Sequence, residues 1–271
     1  MNRAAVLGSP INHSLSPLLH NAAYKKLGIE AEYQAFEVTS EGLRGFLEGY
    51  LASSSWVGFS LTMPLKEKIC SISRDLGIEL DEISSRIHSA NTLYHHGGRW
   101  SATSTDVSGF QFLLRNHNFR DCTIIGAGGT ARAALEALEE SVSVNIVSRN
   151  SKREDELRRA FPSRQLTFIP WSELARAWSA SLVISTVPIA AVPDLIPTFT
   201  PPELLIDALY SPWIPPLSKV QIDSGADLIS GLELLSAQAL RQIELMTEVV
   251  FDQAEIFTYL KEVAEEALQQ K

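Results

Sequence analysis

Cysteine is nearly absent from this 271-residue chain. Only Cys70 and Cys122 occur, so no disulfide framework beyond a single bridge is possible, and neither has a metal-type neighbour spacing. Both lie in apolar stretches, which predicts buried free thiols and fits the reducing cytoplasm. An excess of positive charge is also lacking: 23 Lys and Arg stand against 32 Asp and Glu, a net charge of −9. Nucleic-acid binding needs clustered cations, so the balance argues against that partner while leaving room for a local basic pocket around a small anion. Long apolar runs are missing too. No stretch reaches the about 18 uninterrupted apolar residues of a membrane span, and the opening Met1-Asn2-Arg3-Ala4-Ala5-Val6-Leu7 has too short an apolar run for a secretory signal. No His pair has ligand spacing with a carboxylate, and His95-His96 merely adjoin a Gly-Gly turn, so no metal is expected.

What is present is an ordinary globular composition, 45% hydrophobic, enough for a sizeable core. At about 150 residues per domain the length suits one large or two small domains. Short apolar runs alternate with helical patterns. Ala4–Leu7, Tyr33–Val38 and Trp56–Leu61 read as strands, with helices over Pro17–Leu27, stopped by Gly28, and over Glu41–Tyr50. Ile87–Tyr94 is apolar and β-rich toward its end, and Gly97-Gly98 turns it into Trp100–Thr103 as a hairpin. Beyond that, strands are expected at Cys122–Ile125, Val142–Val147, Leu166–Ile169, Leu182–Thr186, Leu204–Ile206 and Asp227–Ile229. Helices are expected over about 130–140, 152–160 and 171–179. Two long helical patterns, Glu233–Met246 and Val249–Gln269, close the chain. Such alternation predicts an α/β protein with parallel sheets covered by helices, in two units with a boundary near residues 106–120.

The sharpest local signal is Gly126-Ala127-Gly128-Gly129-Thr130-Ala131-Arg132-Ala133, between a strand and a helix. Glycines let the backbone turn tightly and approach a pyrophosphate, and the helix N-terminus offers that anion unpaired N–H groups. In this context the loop points to a dinucleotide rather than an ordinary turn. Past the next strand, where NAD-selective folds carry an acidic residue for the ribose 2′-OH, stands Ser148-Arg149-Asn150-Ser151-Lys152-Arg153. Arg149 and Arg153 suit a 2′-phosphate through charge-assisted hydrogen bonds, which favours NADP. A solvated basic helix start is the alternative, opposed by the positive dipole end.

Three polar clusters follow strands in the first half: residues 8–17 with Ser14 and Ser16, residues 60–66 with Thr62 and Lys66, and residues 89–93 with Asn91, joined after the hairpin by Thr103-Ser104-Thr105-Asp106. Ligands of open α/β sheets bind beyond the carboxyl ends of strands, and hydroxyls, an amide, one Lys and one Asp suit a polyhydroxylated acid. Singly, each has a plainer reading: Ser14 or Ser16 as a helix cap, Lys66 as a solvent-exposed side chain, Asp106 as an N-cap, Asn91 as a turn residue.

Six ordered motifs now make the chain resemble the shikimate dehydrogenase family nearly end to end. They are Gly-Ser-Pro-Ile-x-His-Ser-x-Ser-Pro at 8–17, Thr62-Met63-Pro64-Leu65-Lys66, Asn91-Thr92-Leu93 with Thr105-Asp106 through Phe110, the glycine loop at 126–132, Asp207-Ala208-Leu209-Tyr210-Ser211-Pro212, and Gly231-Leu232-Glu233-Leu234-Leu235 with Gln238. The resemblance implies a substrate-binding α/β domain at 1–108, onto which helices of 238–271 pack back, and a Rossmann-type doubly wound NADP-binding domain at 109–237. It implies reversible NADPH-dependent reduction of 3-dehydroshikimate to shikimate in chorismate and aromatic amino-acid biosynthesis, in the cytoplasm. It casts Lys66 and Asp106 as the catalytic pair. Ser14 and Ser16 would hold the substrate carboxylate, and Thr62, Asn91, Tyr210 and Gln238, with Asp106, the ring hydroxyls. NADP would be held by Gly126, Ala127, Gly128, Gly129 and Thr130, by Ser148, Arg149 and Arg153, and by Thr186, Ala208 and Gly231. A small-molecule substrate, with no nucleic acid or membrane, and a monomer or homodimer, are expected. The alternatives are a quinate/shikimate dehydrogenase-like oxidoreductase and a non-catalytic cofactor-sensing relative.

Four residues depart from the family pattern. Ser60 and Ser104 stand where Asn is usual, His88 replaces a Gly, and Ser148 replaces an Asn. Strand alternation would put Ser104 and Asp106 on one face, and the paired Ser60 and Ser104 are expected to compensate each other, directly or through a water.

Overall fold

The computed structural model describes residues 1–269, and within it the chain falls into two compact units. Met1–Gly109 and the segment from Leu235 onward form the first, and Phe110–Leu234 the second. Gln270 and Lys271, which the expected closing segment includes, lie outside the described residues.

The first unit is built on a six-stranded sheet of order β2-β1-β3-β5-β6-β4. Its elements in chain order are β1 (Asn2–Gly8), α1 (Ser16–Leu27), β2 (Ala31–Glu37), α2 (Leu43–Tyr50), β3 (Trp56–Leu61), α3 (Leu65–Ile72), β4 (Ile78–Leu80), α4 (Glu82–Ile87), β5 (Thr92–His96), β6 (Arg99–Thr103) and α5 (Thr105–Leu114). Strand β1 is the unbroken apolar run, buried from Ala4 to Gly8, as a strand covered on both faces must be. It pairs in parallel with β2 and β3. Gly97 and Gly98 both adopt positive φ, 58° and 79°, the requirement of a two-residue hairpin turn, so β5 and β6 pair antiparallel. The sheet is therefore mixed. One face packs Leu7, Leu43, Leu47, Phe59, Leu65, Ile69 and Leu93 into a core.

Boundaries moved where local chemistry outweighed periodicity. β5 starts only at Thr92, because Asp81 caps a helix ahead of it, accepting from the Ser84 N–H at 2.7 Å. The eight-residue α3 and the three-residue β4 are too short to give a period. Residues 171–179 form a 3-10 helix, broken at Glu173 (φ −112°), instead of an α-helix. Val249 to Asp252 are not helical, since the chain turns at Glu248 (φ 59°). Cys122 is buried as expected, whereas Cys70 is only half-buried; both are free.

His88 ends α4 in the left-handed conformation (φ 51°, ψ 47°). That geometry explains why the family pattern has Gly there. His88→Gly should raise stability by about 0.5–1 kcal/mol, the usual gain when the Cβ strain of a left-handed cap is removed. A chemical denaturation midpoint checks this, and an unchanged or lower midpoint would show that the imidazole contributes more than the strain removes.

The second unit contains β7 (Asp121–Ile125), α6 (Gly129–Ala137), β8 (Ser143–Ser148), α7 (Ser151–Ala160), β9 (Leu166–Pro170), β10 (Leu182–Ser185), α8 (Val192–Leu195), β11 (Leu204–Asp207), α9 (Pro216–Asp223) and β12 (Asp227–Ile229). The sheet is wholly parallel with order β12-β11-β10-β7-β8-β9. The order reverses between β7 and β10, which is the doubly wound Rossmann arrangement with its ligand crevice at the reversal. Two helices follow, α10 (Gly231–Thr247) and α11 (Gln253–Gln269). The latter packs on α1, with Lys26 2.9 Å from Glu255. Among the described residues no helix is long and apolar enough to cross a membrane.

Candidate active site

In the first unit, Lys66 comes from the first turn of α3 and Asp106 from the first turn of α5. Their Nζ and Oδ2 atoms are 2.5 Å apart, and the two side chains are 18% and 6% exposed. Asn91, just ahead of β5, donates from Nδ2 to Asp106 Oδ1 at 2.9 Å and to Gln238 Oε1 at 2.7 Å. Its Oδ1 accepts from the Thr105 N–H at 2.7 Å. The strand ends at β3, β5 and β6 thus deliver an ammonium, a carboxamide and a carboxylate to one cluster, and helix Gly231–Thr247 adds the carboxamide of Gln238. Lys66 is not a solvent-exposed side chain, Asp106 lies inside its helix and caps nothing, and Asn91 serves as the hub of this network.

The loop between β1 and α1 carries Ser14 and Ser16. Glu37 holds it from the end of β2, accepting from Ser9 Oγ at 2.6 Å and from the Ile11 N–H at 2.9 Å. Helix α1 starts at Ser16 itself, and no side chain caps it from the preceding residue, Leu15. The capping reading of Ser16 is therefore wrong; Ser14 Oγ instead accepts from the Ser16 N–H at 3.3 Å. Thr62 follows β3, its N–H donating to the Leu7 carbonyl at 2.9 Å. Gly8 is required beside it, since a Cβ there would fall 2.2 Å from Thr62 Cγ2.

In the second unit the candidate cofactor residues stand at carboxyl ends of successive strands. Gly126 leaves β7 with φ +121°, and a Cβ on it would lie 2.2 Å from Thr186 Oγ1 at the end of β10. Gly128 then caps α6, whose first residue is Gly129, so that helix starts where the backbone is bare. This cradle fits a pyrophosphate. Ser148 ends β8, and Arg149 after it lays its guanidinium over the Trp171 ring at 5.2 Å. Arg153 donates to Glu156 at 3.2 Å, and the buried Arg132 bonds the same carboxylate. Ala208 follows β11, its N–H bonded to the Ser185 carbonyl at 2.9 Å. Gly231 packs so tightly on this loop that a Cβ would lie 2.4 Å from the Leu209 carbonyl oxygen. Asp207 anchors the loop that carries Ala208 and the half-buried Tyr210. It accepts from the Leu209 N–H at 3.2 Å and from Ser218 Oγ at 2.9 Å. Burial pushes its carboxyl up to about 6, against the pull of those hydrogen bonds.

Known proteins resemble this chain over most of its length. A family model described as the shikimate dehydrogenase substrate binding domain matches residues 6–93. The shikimate dehydrogenase (NADP(+)) of a Nostoc species is 30% identical over 261 residues, covering 89% of this chain and 89% of that protein. The chain belongs to the shikimate dehydrogenase family. The crystal structure of the Mycobacterium tuberculosis shikimate dehydrogenase is 32% identical, with a TM-score of 0.85 over 97% of this chain and 99% of that one. The shikimate 5-dehydrogenase of Thermus thermophilus, solved with NADP(H) and shikimate, is 28% identical, with a TM-score of 0.77 over 97% of this chain and 100% of that one.

For a shikimate dehydrogenase family member, the direct pairing expected of Ser60 and Ser104 is not found among the described residues. Ser60 Oγ accepts from the Tyr33 hydroxyl at 2.6 Å, while Ser104 Oγ is buried with no hydrogen-bond partner among the described residues. Strand alternation does not reach Asp106 either, because β6 ends at Thr103 and α5 starts at Thr105. The residues missed by sequence reasoning are the supporting ones: Glu37, Thr92, Thr105 and Gln242. Thr92 Oγ1 lies 2.9 Å from Asn91 Oδ1, and Gln242 Nε2 donates to Gln238 Oε1 at 3.1 Å. The only signal for Gln242 was its place one helical turn beyond Gln238.

Proposed function

We propose that this chain is an NADP-dependent shikimate dehydrogenase that reversibly reduces 3-dehydroshikimate to shikimate. The observation that carries this reading is the part-buried Lys66–Asp106 pair at 2.5 Å, set among the amides of Asn91 and Gln238. The substrate is held by the unit of residues 1–109 and the segment from Leu235, and the dinucleotide by Phe110–Leu234. Ser14 and Ser16 receive the substrate carboxylate through hydroxyl donors. Thr62, Asn91, Gln238 and Asp106 hold ring hydroxyls. Gly126 to Thr130 receive the pyrophosphate; Arg149 and Arg153 the 2′-phosphate; Ala208 and Gly231 line the nicotinamide side, and Ser148 and Thr186 border the cofactor. The free thiols Cys70 and Cys122 suit a reducing, cytoplasmic setting.

When bound, NADPH supplies the hydride. The chain's own residues then deal with the proton and the charge. Lys66 donates a proton to the oxygen of the former carbonyl and takes it back in the reverse direction. Asp106 holds the ammonium in line. Asn91 fixes Asp106 from the other side, so the carboxylate cannot swing away from Lys66.

The deciding experiment is an activity matrix of shikimate and quinate against NADP and NAD. Turnover of shikimate with NADP above the other three combinations is expected. Preference for quinate or for NAD, or no turnover at all, would refute the assignment. In the same matrix Arg149→Ala should raise KM for NADP about tenfold, the scale of one lost charge-assisted hydrogen bond, and leave KM for NAD nearly unchanged. Equal losses for both cofactors would remove Arg149 from the 2′-phosphate site.

A further inference from the structure

The hydrogen bonds around Asn91 have a direction, and Asp106 sets it. An ionised carboxylate only accepts, so the Asn91 group 2.9 Å from Asp106 Oδ1 is the NH2. The Thr105 N–H only donates, and it meets Asn91 Oδ1 at 2.7 Å. Asn91 therefore has one orientation. Its NH2 also reaches Gln238, so the Gln238 atom 2.7 Å away is the carbonyl oxygen. Gln242 faces that same oxygen at 3.1 Å and must turn its own NH2 toward it, with Thr92 Oγ1 as the second acceptor at 3.2 Å. Gln242 Oε1 is left pointing away, buried, on the side of His20.

His20 stands on that side, and its Nε2, like Gln242 Oε1, has no hydrogen-bond partner among the described residues. The ring is buried, stacked on Tyr33 with centroids 3.9 Å apart, and its Nδ1 lies 2.9 Å from the Ser16 carbonyl. That carbonyl only accepts, so Nδ1 carries the proton. Burial lowers the imidazole to about 4, against the opposing influence of the Ser16 carbonyl and the Gln242 carboxamide, and the ring is neutral at ordinary pH. The Gln238 backbone is also fixed: a Cβ on Gly109 would stand 3.0 Å from Gln238 N, so α5 and α10 meet there without slack. Only the end of the Gln238 side chain has freedom left, and Gln242 joins Asn91 in taking it away.

We infer that Gln242 is a positioning residue for substrate recognition. It locks the Gln238 carboxamide with its carbonyl toward Asn91 and Gln242, so that Gln238 offers its NH2, a donor, to a substrate hydroxyl. This rests on the proposed role of Gln238 as a ligand of the shikimate ring. Gln242 itself touches no substrate.

The test is a double-mutant cycle in the intact enzyme, read in steady-state kinetics. Gln242→Met keeps length and volume and removes the amide. It should raise KM for shikimate about five- to tenfold, the scale of one hydrogen bond that orders its partner, with KM for NADP unchanged and kcat within about twofold of the wild type. A purely structural defect lowers the active fraction and hence the apparent kcat, but does not move KM. In the Gln238→Ala background, Gln242→Met should raise KM no further, because the group it positions is gone. If Gln242→Met expresses poorly, Gln242→Asn, which keeps the amide but falls short of Gln238, replaces it in both backgrounds with the same expectation. An unchanged KM in the single variant, or an equal rise in both backgrounds, overturns the positioning role while leaving the assigned reaction intact. Wild-type protein without shikimate turnover overturns both.

Discussion

Lys66→Ala should lower turnover of shikimate by about 10² to 10⁴, the range that a positioned general acid–base group contributes, while the dissociation constant for shikimate changes by less than about fivefold. The geometry fixes this split. The Lys66 ammonium touches Asp106 Oδ2 at 2.5 Å, whereas the carboxylate and hydroxyl contacts assigned to the substrate come from Ser14, Ser16, Thr62, Asn91 and Gln238. Asp106 keeps its bond from Asn91 at 2.9 Å, so the site is not dismantled. Stopped-flow reduction of NADP under single-turnover conditions isolates the chemical step, and shikimate titration gives the binding constant. Near-normal turnover with weak shikimate binding would make Lys66 a binding residue and leave the proton donor unidentified.

Gly126→Ala should weaken NADP binding about 10- to 100-fold. A side chain at φ +121° sits in a region that suits glycine, which costs of the order of 1–3 kcal/mol. The new Cβ would also stand 2.2 Å from Thr186 Oγ1. That hydroxyl can turn aside only by giving up its bond to the Ile125 carbonyl, now 3.0 Å long, a loss of about 1 kcal/mol. The strand-to-helix turn must shift, and the cradle before α6 shifts with it. Adding Thr186→Ala should recover part of the affinity, by removing the collision but not the backbone strain. Fluorescence titration with NADPH reads both variants. Binding within twofold of wild type in Gly126→Ala would show that the loop can yield without harm and that the pyrophosphate is held elsewhere.

The features legible in the sequence were those fixed by short-range chemistry. Gly28 stops α1 in a left-handed cap (φ 67°), and Gly97-Gly98 turn the hairpin. The apolar runs at Ala4–Leu7 and Trp56–Leu61 are strands because buried strands need continuous apolar residues. Strand–helix alternation gave the parallel second sheet, and the motif residues Lys66, Asn91 and Asp106 could be named before their distances were known. The short elements α3, β4 and α4 were not legible, since a period needs more than one or two turns to show. The 3-10 conformation of residues 171–179 was not legible either, because its apolar spacing matches that of an α-helix.

The sequence alone determined which chemical groups this protein has and which of its turns are compulsory: glycines where φ must be positive, one Lys and one Asp at strand-to-helix junctions, two arginines where an acid would read a 2′-OH. Only the tertiary structure decided who partners whom. Asn91 and Gln238 are 147 residues apart in the chain and 2.7 Å apart in space, and no local pattern encodes that meeting. The same holds for Ser60, whose hydroxyl is taken by Tyr33 and not shared with Ser104, and for Gln242, whose amide direction follows from a carboxylate three hydrogen bonds away. Hydrogen bonds of this kind depend on atoms converging within a few tenths of an ångström and on each group's choice to donate or accept, and that is set by how whole elements pack.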